Sequence, residues 1–259
     1  MILQSLIHSP LLLLGDLPEA PAFDQSTLTL SSSPTTLNLN QKLGHLYEDA
    51  LAILLEASPT YNLLARNLQL HTPGKPTLGE LDFLLRDLRS GQLIHLELAT
   101  KFYLAVETPE GLTLPGPDSR DNFFSKLHRL RTHQLILTEK HRHALPAAFR
   151  EETITTRHLI HGCIFDHIHS TTPACPEFVN PHRRQGRWLT ITQLPQHFSP
   201  GTRFEIIPKH LWPVPLSLLA NIPLEPWSAP TSLDRCTMLR IEGQTVPHVI
   251  TPATYPSPS

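Results

Sequence analysis

Residues 79–103 predict a β-hairpin, and this segment constrains the fold more than any other part of the chain. Two runs of alternating apolar residues flank residues 87–92, where Gly91 can adopt a positive φ in a tight turn. A turn centred between positions 89 and 90 places Asp82 directly opposite Glu97. One face of the hairpin is then apolar, and the other face carries Glu80, Asp82, Glu97 and Lys101.

This register brings two carboxylates together. Directly opposed side chains of an antiparallel pair have Cβ atoms about 4.5–5.5 Å apart, so like charges there repel each other. A divalent cation would relieve that repulsion, and Mg²⁺ is typically held by one or two carboxylates together with water and phosphate. The pattern also fits a half-exposed hairpin whose charged face contacts solvent, and a one-residue shift of the turn would change the pairing.

The hairpin resembles the core motif of the PD-(D/E)XK (restriction-endonuclease-like) nuclease superfamily, which has an Asp on one strand and Glu-x-Lys on the next. Gly79-Glu80-Leu81-Asp82 followed by Glu97 is similar to that motif. More closely, the chain resembles an uncharacterised bacterial protein family assigned to the superfamily. The similar blocks span most of the chain and are residues 9–12, 79–87, 95–104, 116–117, 121–135 and 212–213.

The resemblance implies a metal-dependent nuclease that hydrolyses phosphodiester bonds of nucleic acid with Mg²⁺ or Mn²⁺. It implies that Asp82 and Glu97 bind the ion, and that Glu80 is an additional ligand or a neighbouring acid. The superfamily lysine normally stands two residues after the Glu, where this chain has Ala99. Lys101 lies on the same strand face and could take that role, and Lys126 is another donor. Ala99 favours the alternative, a catalytically inactive nuclease-fold protein that binds nucleic acid or protein.

Two predicted helices add candidate site residues. A helix over residues 41–57 carries Glu48, which matches the position where superfamily members present a Glu to the metal; a solvated helix face is the other interpretation. A second helix over residues 119–139 places Gln134 on its apolar stripe, facing the sheet. The resemblance makes Gln134 a candidate site residue, although a buried amide satisfied within the core also fits.

Basic residues predict a nucleic-acid partner, DNA in preference to RNA. Lys126 and Arg129 share one face of the second helix, and the segment 180–188 combines arginines with a tryptophan. Arginine binds phosphate and tryptophan can stack on a base, although a solvated basic face and an ordinary polar turn also fit. The predicted contacts are Lys126, Arg129, Arg183, Arg184 and Arg187.

Composition limits the remaining choices. The net charge of −2 argues against strong nonspecific nucleic-acid binding but leaves room for a locally basic cleft. Three cysteines without a close pair favour a reducing compartment, and no segment is typical of a signal peptide or membrane span. We therefore expect a cytoplasmic protein with no membrane partner. The His and Cys residues within 158–169 match no standard zinc spacing.

These patterns predict an α/β (α+β) fold with a restriction-endonuclease-like core, in which helices flank a central mixed sheet. We assign the nuclease-like domain to residues 1–199. Residues 200–259 contain short strand-like pieces interrupted by prolines, which predicts an irregular Pro-rich cap packed on the core, within the same domain or as a small lobe.

Overall fold

The structure is a computed structural model that describes residues 1–30, 36–71, 74 and 76–256. Its strands are β1 (Tyr61–Leu70), β2 (Gly79–Asp87), β3 (Leu93–Leu104), β4 (Val106–Thr108), β5 (Gly111–Thr113), β6 (Ile154–His167), β7 (Arg184–Thr190), β8 (Phe204–Ile206), β9 (Glu225–Pro226), β10 (Thr237–Ile241) and β11 (His248–Thr251). Its α-helices are α1 (Ile2–His8), α2 (Leu43–Glu56), α3 (Phe123–Arg129), α4 (Leu137–Lys140), α5 (Leu194–His197) and α6 (Leu216–Leu219). No helix among the described residues is long and apolar enough to cross a bilayer.

A nine-stranded mixed sheet forms the centre of the molecule, in the order β1-β2-β3-β6-β7-β11-β10-β8-β9. The strands β3, β6, β7 and β11 run parallel to one another, and the remaining pairs are antiparallel. Helices α1 and α2 cover one face of the sheet, and α3 packs on the other face. The predicted α+β fold with a mixed sheet flanked by helices is confirmed.

The hairpin of β2 and β3 has the predicted register. Phe83 lies opposite Leu96 and Leu84 lies opposite His95. The ladder ends there, and beyond it the N–H of Leu98 donates to the side chain of Asp82, next to Glu97. The backbone N–H of Asp87 donates to the carbonyl of Gln92 at 2.9 Å, and Gly91 has φ +75° as the turn requires. Alternation along both strands therefore sends the carboxylates to one face and the apolar side chains to the other.

The apolar face of the hairpin builds the larger core. Phe83, Leu96 and Leu98 pack with the buried face of α2, which presents residues such as Leu51 and Leu54. The helix begins at Leu43 and ends at Glu56, two residues later and one residue earlier than the predicted range 41–57. Burial of its apolar stripe against the sheet accounts for its stability, because no side chain caps its N-terminus.

The N-terminal strap, which we define as residues 9–23, pairs with the edge of β6 through backbone hydrogen bonds. The strap lies along the part of β6 that β7 does not reach. The N–H of Leu12 donates to the carbonyl of Ile160 and the N–H of Phe23 to the carbonyl of His158, both at 2.8 Å. Leu12 and Leu13 are fully buried there and pack with residues of β3, β6 and α3.

The predicted helix over residues 119–139 is wrong as a single continuous helix. It begins at Phe123, where the Asn122 side chain accepts hydrogen bonds from the N–H groups of Phe124 and Ser125. After α3 a π-helical turn follows, Leu130–Gln134, in which the N–H of Leu135 donates to the carbonyl of Leu130 at 2.9 Å. The turn widens the helix by one residue, and α4 starts only at Leu137.

Residues 200–256 contribute strands to the main sheet. The prolines interrupt this region, as predicted, but β8, β9, β10 and β11 all add to the main sheet. Strand β11 pairs with β7 in parallel, so the C-terminal strands continue the same layer of backbone hydrogen bonds. The β10 and β8 segments lie where the sequence predicts strand-like pieces, and the tail at 257–259 lies outside the described residues.

Candidate functional site

A cavity of about 160 Å³ lies on the polar face of the hairpin, between the N-terminal strap and α3. We call it the acid cavity. Five polar side chains that sequence reasoning selected for the site line it, namely Asp82, Glu97, Lys101, Lys126 and Gln134. Its apolar walls are Leu12, Leu13, Leu98, Ala99, Tyr103, Phe123, Leu127, Leu130 and Ile160. The register of the hairpin and the packing of α3 therefore bring distant polar residues to one point.

Glu97 is the most rigidly held of these residues, with 1% of its surface exposed. The imidazole Nε2 of His95, two residues earlier on the same strand face, donates to Glu97 Oε1 at 2.7 Å. The side-chain amide of Gln134 donates to Glu97 Oε2 at 3.0 Å. Each carboxylate oxygen keeps a second lone pair, so the two hydrogen bonds orient Glu97 and still allow it to bind a cation.

The π-helical turn explains how Gln134 reaches Glu97. Gln134 is the last residue of the π turn. Because this turn contains one residue more than an α-helical turn, its side chains point in directions different from those in a continuous α-helix. Such turns occur frequently at functional sites. Gln134 therefore faces the sheet, as predicted, and its hydrogen-bond partner is the carboxylate of a candidate metal ligand.

Asp82 lies in a setting that disfavours its charge. Its Oδ2 accepts a hydrogen bond from the N–H of Leu98 at 2.9 Å, which fixes the carboxylate against β3. Burial, followed by repulsion from Glu97 and then from Glu48 and Glu80, raises the pKa of Asp82 to about 8. A carboxylate whose negative charge is costly in the free protein gains most from a nearby cation.

Two carboxylates of this kind fit a magnesium or manganese ion. Both metals prefer oxygen ligands, and magnesium usually keeps several waters besides one or two carboxylates. Among the described residues no group of three or more His, Cys, Asp or Glu side chains could hold a metal. With two carboxylate donors, such an ion would take its remaining ligands from water and from oxygen atoms of a substrate.

Lys101 supplies a cation at the mouth of the acid cavity. Burial lowers the pKa of Lys101, while the negative charges of Asp121 and Asp82 partly oppose that effect. Lys126 lies on α3, with its Nζ 3.8 Å from Oδ1 of Asp121, and is about half exposed. Both lysines therefore line the cavity, and Lys101 is the more enclosed of the two.

A pH dependence of stability follows from the raised pKa of Asp82. Without metal, the folded protein keeps a proton on Asp82 that the unfolded chain releases near pH 4, so folded chains bind more protons between about pH 4 and pH 8. Stability should therefore fall as pH rises through this range. Asp82→Asn removes the titrating group, and we expect its urea midpoint to fall less between about pH 5 and pH 8 than that of the wild type. Equal falls in both proteins would contradict the assigned pKa.

Three predicted acids and bases lie away from the acid cavity. Glu48 accepts a hydrogen bond from the side chain of Asn67 at 3.3 Å, and it influences Asp82 only through its charge. Glu80 is exposed and accepts from Gln69, and Arg129 is exposed on α3. None of the three lines the cavity, so the geometry does not support the predicted ligand roles of Glu48 and Glu80.

The arginines predicted to bind nucleic acid in 183–187 have internal roles, which corrects that interpretation. Arg184 is partly buried and donates to the carbonyls of Trp212, Pro213 and Val214. Arg183, 3% exposed, donates to the carbonyls of Ala174 and Asn180. Arg187 donates to the carbonyl of Ser170 at 2.8 Å. Strand β7 lies inside the sheet, and its arginines donate to loop carbonyls, so the geometry does not support the predicted phosphate contacts.

Sequence reasoning missed three polar residues around the site. His95 was recognisable only as a polar residue on the same strand face as Glu97. Tyr103 lines the cavity, and its buried hydroxyl has no hydrogen-bond partner among the described residues. Asp121 lies on the loop before α3 and acts on both Lys101 and Tyr103 through its charge. Alternation along β3 predicts that Tyr103 shares the face of Lys101, but no local pattern predicts the position of Asp121.

The fold and the acid cavity define an α+β protein with a buried two-carboxylate site next to lysine. A family described as a domain of unknown function (DUF1853) matches residues 16–240, and the chain belongs to that family. Searches of curated proteins and of solved structures gave no significant match.

Proposed function

We propose that this protein is a metal-dependent nuclease that hydrolyses phosphodiester bonds of nucleic acid. The observation that carries the proposal is that Asp82, Glu97 and Lys101 line one cavity although they lie on two strands. Phosphoryl transfer depends mainly on positioning and on stabilisation of negative charge, which carboxylate-bound metal and lysine provide. The sequence resemblance to PD-(D/E)XK nucleases supports the same proposal through the same residues.

Each side chain has a distinct task in the proposed reaction. Asp82 and Glu97 would hold Mg²⁺ or Mn²⁺, which when bound would polarise a phosphoryl oxygen and lower the pKa of a bound water. His95 and Gln134 keep Glu97 in a fixed orientation through its two oxygens. Lys101 neutralises the negative charge that develops on the phosphoryl oxygens as water attacks. The apolar walls restrict the entry of additional water.

Lys101 should be the catalytic cation in place of the lysine missing at position 99. We expect Lys101→Met to lower the cleavage rate by about 10²–10³-fold, the usual cost of removing one group that stabilises transition-state charge. Metal affinity, measured by Mn²⁺ titration, should change little because the carboxylates remain. Lys126→Met is the matched control, since Lys126 lines the same cavity but is more exposed. A large loss in Lys126→Met and none in Lys101→Met would assign the role to Lys126.

The test of the proposed function is cleavage of labelled DNA and RNA, single- and double-stranded, in Mg²⁺, in Mn²⁺ and in EDTA. The wild type and Asp82→Asn are prepared in parallel, so that a contaminating nuclease is recognised by equal cleavage in both samples. Cleavage that requires metal and is lost in Asp82→Asn supports the proposal. A folded wild type that cleaves none of the substrates in either metal contradicts it.

The second candidate is a catalytically inactive member of the nuclease fold that binds nucleic acid or protein. Ala99 at the superfamily lysine position favours it. This candidate predicts binding of a partner without metal-dependent cleavage. The location that we propose for either candidate is the cytoplasm, because the three cysteines are free thiols in the described part of the chain.

A further inference from the structure

We infer that the substrate strand is single-stranded and reaches the acid cavity through a larger neighbouring cleft. This inference rests on the proposed function and names the substrate class of the same site. The entry cleft, as we call it, has a volume of about 870 Å³. Lys101 lines both the entry cleft and the acid cavity, so the two spaces adjoin at this side chain.

The size of the acid cavity limits what can enter it. At about 160 Å³ it is smaller than the usual range of about 300–1,000 Å³ for ligand pockets. Leu12 and Leu13 of the strap form one wall, and Phe123 and Leu127 of α3 form another. A phosphate that approaches Asp82 and Glu97 must therefore pass between two apolar walls together with its sugar.

A duplex is poorly suited to this geometry. Duplex DNA is stiff over a persistence length of about 150 base pairs, and bending even a short site costs about 1–6 kcal/mol. A single strand has no such stiffness, and its exposed sugars and bases can contact apolar side chains.

The entry cleft has the composition expected of a strand-binding groove. Its cations are Lys101, Arg120, Lys209 and Arg235, and its acids are Asp118, Asp121 and Asp234. The cations outnumber the acids although the whole chain has a net charge of −2. Arg120 is 86% exposed even though it pairs with Asp118, and Lys209 and Arg235 are also exposed, so their donors are accessible to phosphate.

Aromatic side chains complete the cleft. Phe102, Trp212 and Tyr255 line it together with Pro117 and Pro208. The rings of Phe102 and Trp212 meet edge to face with centroids 5.6 Å apart, so their positions are fixed by packing. Phe102 and Trp212 are each 8% exposed, so the partly exposed Tyr255 is the ring that a base can reach. An accessible ring beside exposed cations suits a single strand with little dependence on its sequence.

The experiment measures binding separately from cleavage. Fluorescence anisotropy in EDTA compares a labelled single-stranded oligonucleotide with the duplex of the same sequence, using the full chain. We expect single-strand affinity to exceed duplex affinity by about tenfold or more. The triple variant Arg120→Ala, Lys209→Ala, Arg235→Ala should weaken single-strand binding. The dependence of log affinity on log salt should become shallower by about 2, because each lost phosphate contact contributes about 0.7.

The matched control is a second triple variant, Arg89→Ala, Lys140→Ala, Arg203→Ala, which removes the same number of exposed cations outside the entry cleft. It should bind the single strand with an unchanged salt dependence. Equal or tighter binding of the duplex, equal effects of the two triple variants, or no binding of either oligonucleotide would overturn the inference. Single-strand binding lost only in the first triple variant, without metal-dependent cleavage, would uphold this inference while contradicting the proposed nuclease activity.

Discussion

Replacing Glu97 with Gln should abolish metal-dependent cleavage, with a loss of at least about 10³-fold in rate. Glutamine has almost the same shape, but it is neutral and its amide nitrogen cannot bind a cation. The new amide group would also face two hydrogen-bond donors, His95 Nε2 and Gln134 Nε2, which in the wild type both donate to the carboxylate oxygens of Glu97. Metal affinity should fall with the rate, because half of the protein's carboxylate ligands is lost. Single-turnover cleavage and Mn²⁺ titration measure the two effects.

Glu80→Gln is the matched control for this prediction. Glu80 lies on the same hairpin, and its replacement by Gln removes the same charge. Glu80 is exposed, however, and does not line the acid cavity. Its cleavage rate should stay within a few-fold of the wild type. Circular dichroism and urea unfolding establish that both variants are folded. A folded Glu97→Gln protein that cleaves at the wild-type rate would eliminate Glu97 as a metal ligand.

Gly162→Ala should destabilise the protein more than a Gly→Ala substitution at any other glycine of the sheet. A Cβ at position 162 would lie 1.9 Å from the carbonyl oxygen of Lys101, which is backbone and has no rotamer to change. Gly162 pairs with Lys101 in the parallel ladder of β3 and β6, so the strands would have to separate there. Overpacking a well-packed site costs about 1–3 kcal/mol and occasionally more. We expect about 3 kcal/mol or more from urea unfolding.

The position of Gly162 also connects stability to the site. Separation of β3 from β6 at this point would displace Lys101 and with it the junction of the acid cavity and the entry cleft. Gly15→Ala is the control, since a Cβ there would meet only the Cβ of Ala22, at an ordinary 3.8 Å. Its unfolding free energy should stay within about 1 kcal/mol of the wild type. Equal stability of the two variants would show that the β3–β6 pairing is looser at Gly162 than described.

The hairpin could be predicted from sequence because its determinants are local. Alternating apolar residues, the positive φ available to Gly91 and a short turn together define one register, and the opposition of Asp82 and Glu97 follows from it. Lys101 follows from the same alternation, because it lies four residues after Glu97 on one strand. The direction of Gln134 followed from an apolar stripe, although the helix that carries it is interrupted.

The remaining parts of the site depend on contacts between distant segments, which local patterns do not encode. Leu12 and Leu13 of the strap belong to a short apolar run in the sequence. Their packing position depends on the fact that β7 pairs only with residues 163–167 of β6, which leaves the earlier part of β6 open to the strap. The arginines of 183–187 looked like a surface cluster because the sequence does not show that β7 lies between two other strands. The π turn at Leu130–Gln134 follows from no local pattern in the sequence.

The hydrogen bonds between the N-terminal strap and β6 also set an order of events during synthesis. Leu12 is synthesised before its partner Ile160, which follows about 150 residues later in the chain. Contacts of such long range slow folding, because the intervening chain must be ordered before they form. Until β6 is complete, the strap has no strand to pair with, and Leu12 and Leu13 remain exposed to solvent or to chaperones. The nascent chain therefore contains the hairpin carboxylates before it contains the strand that holds the strap over them.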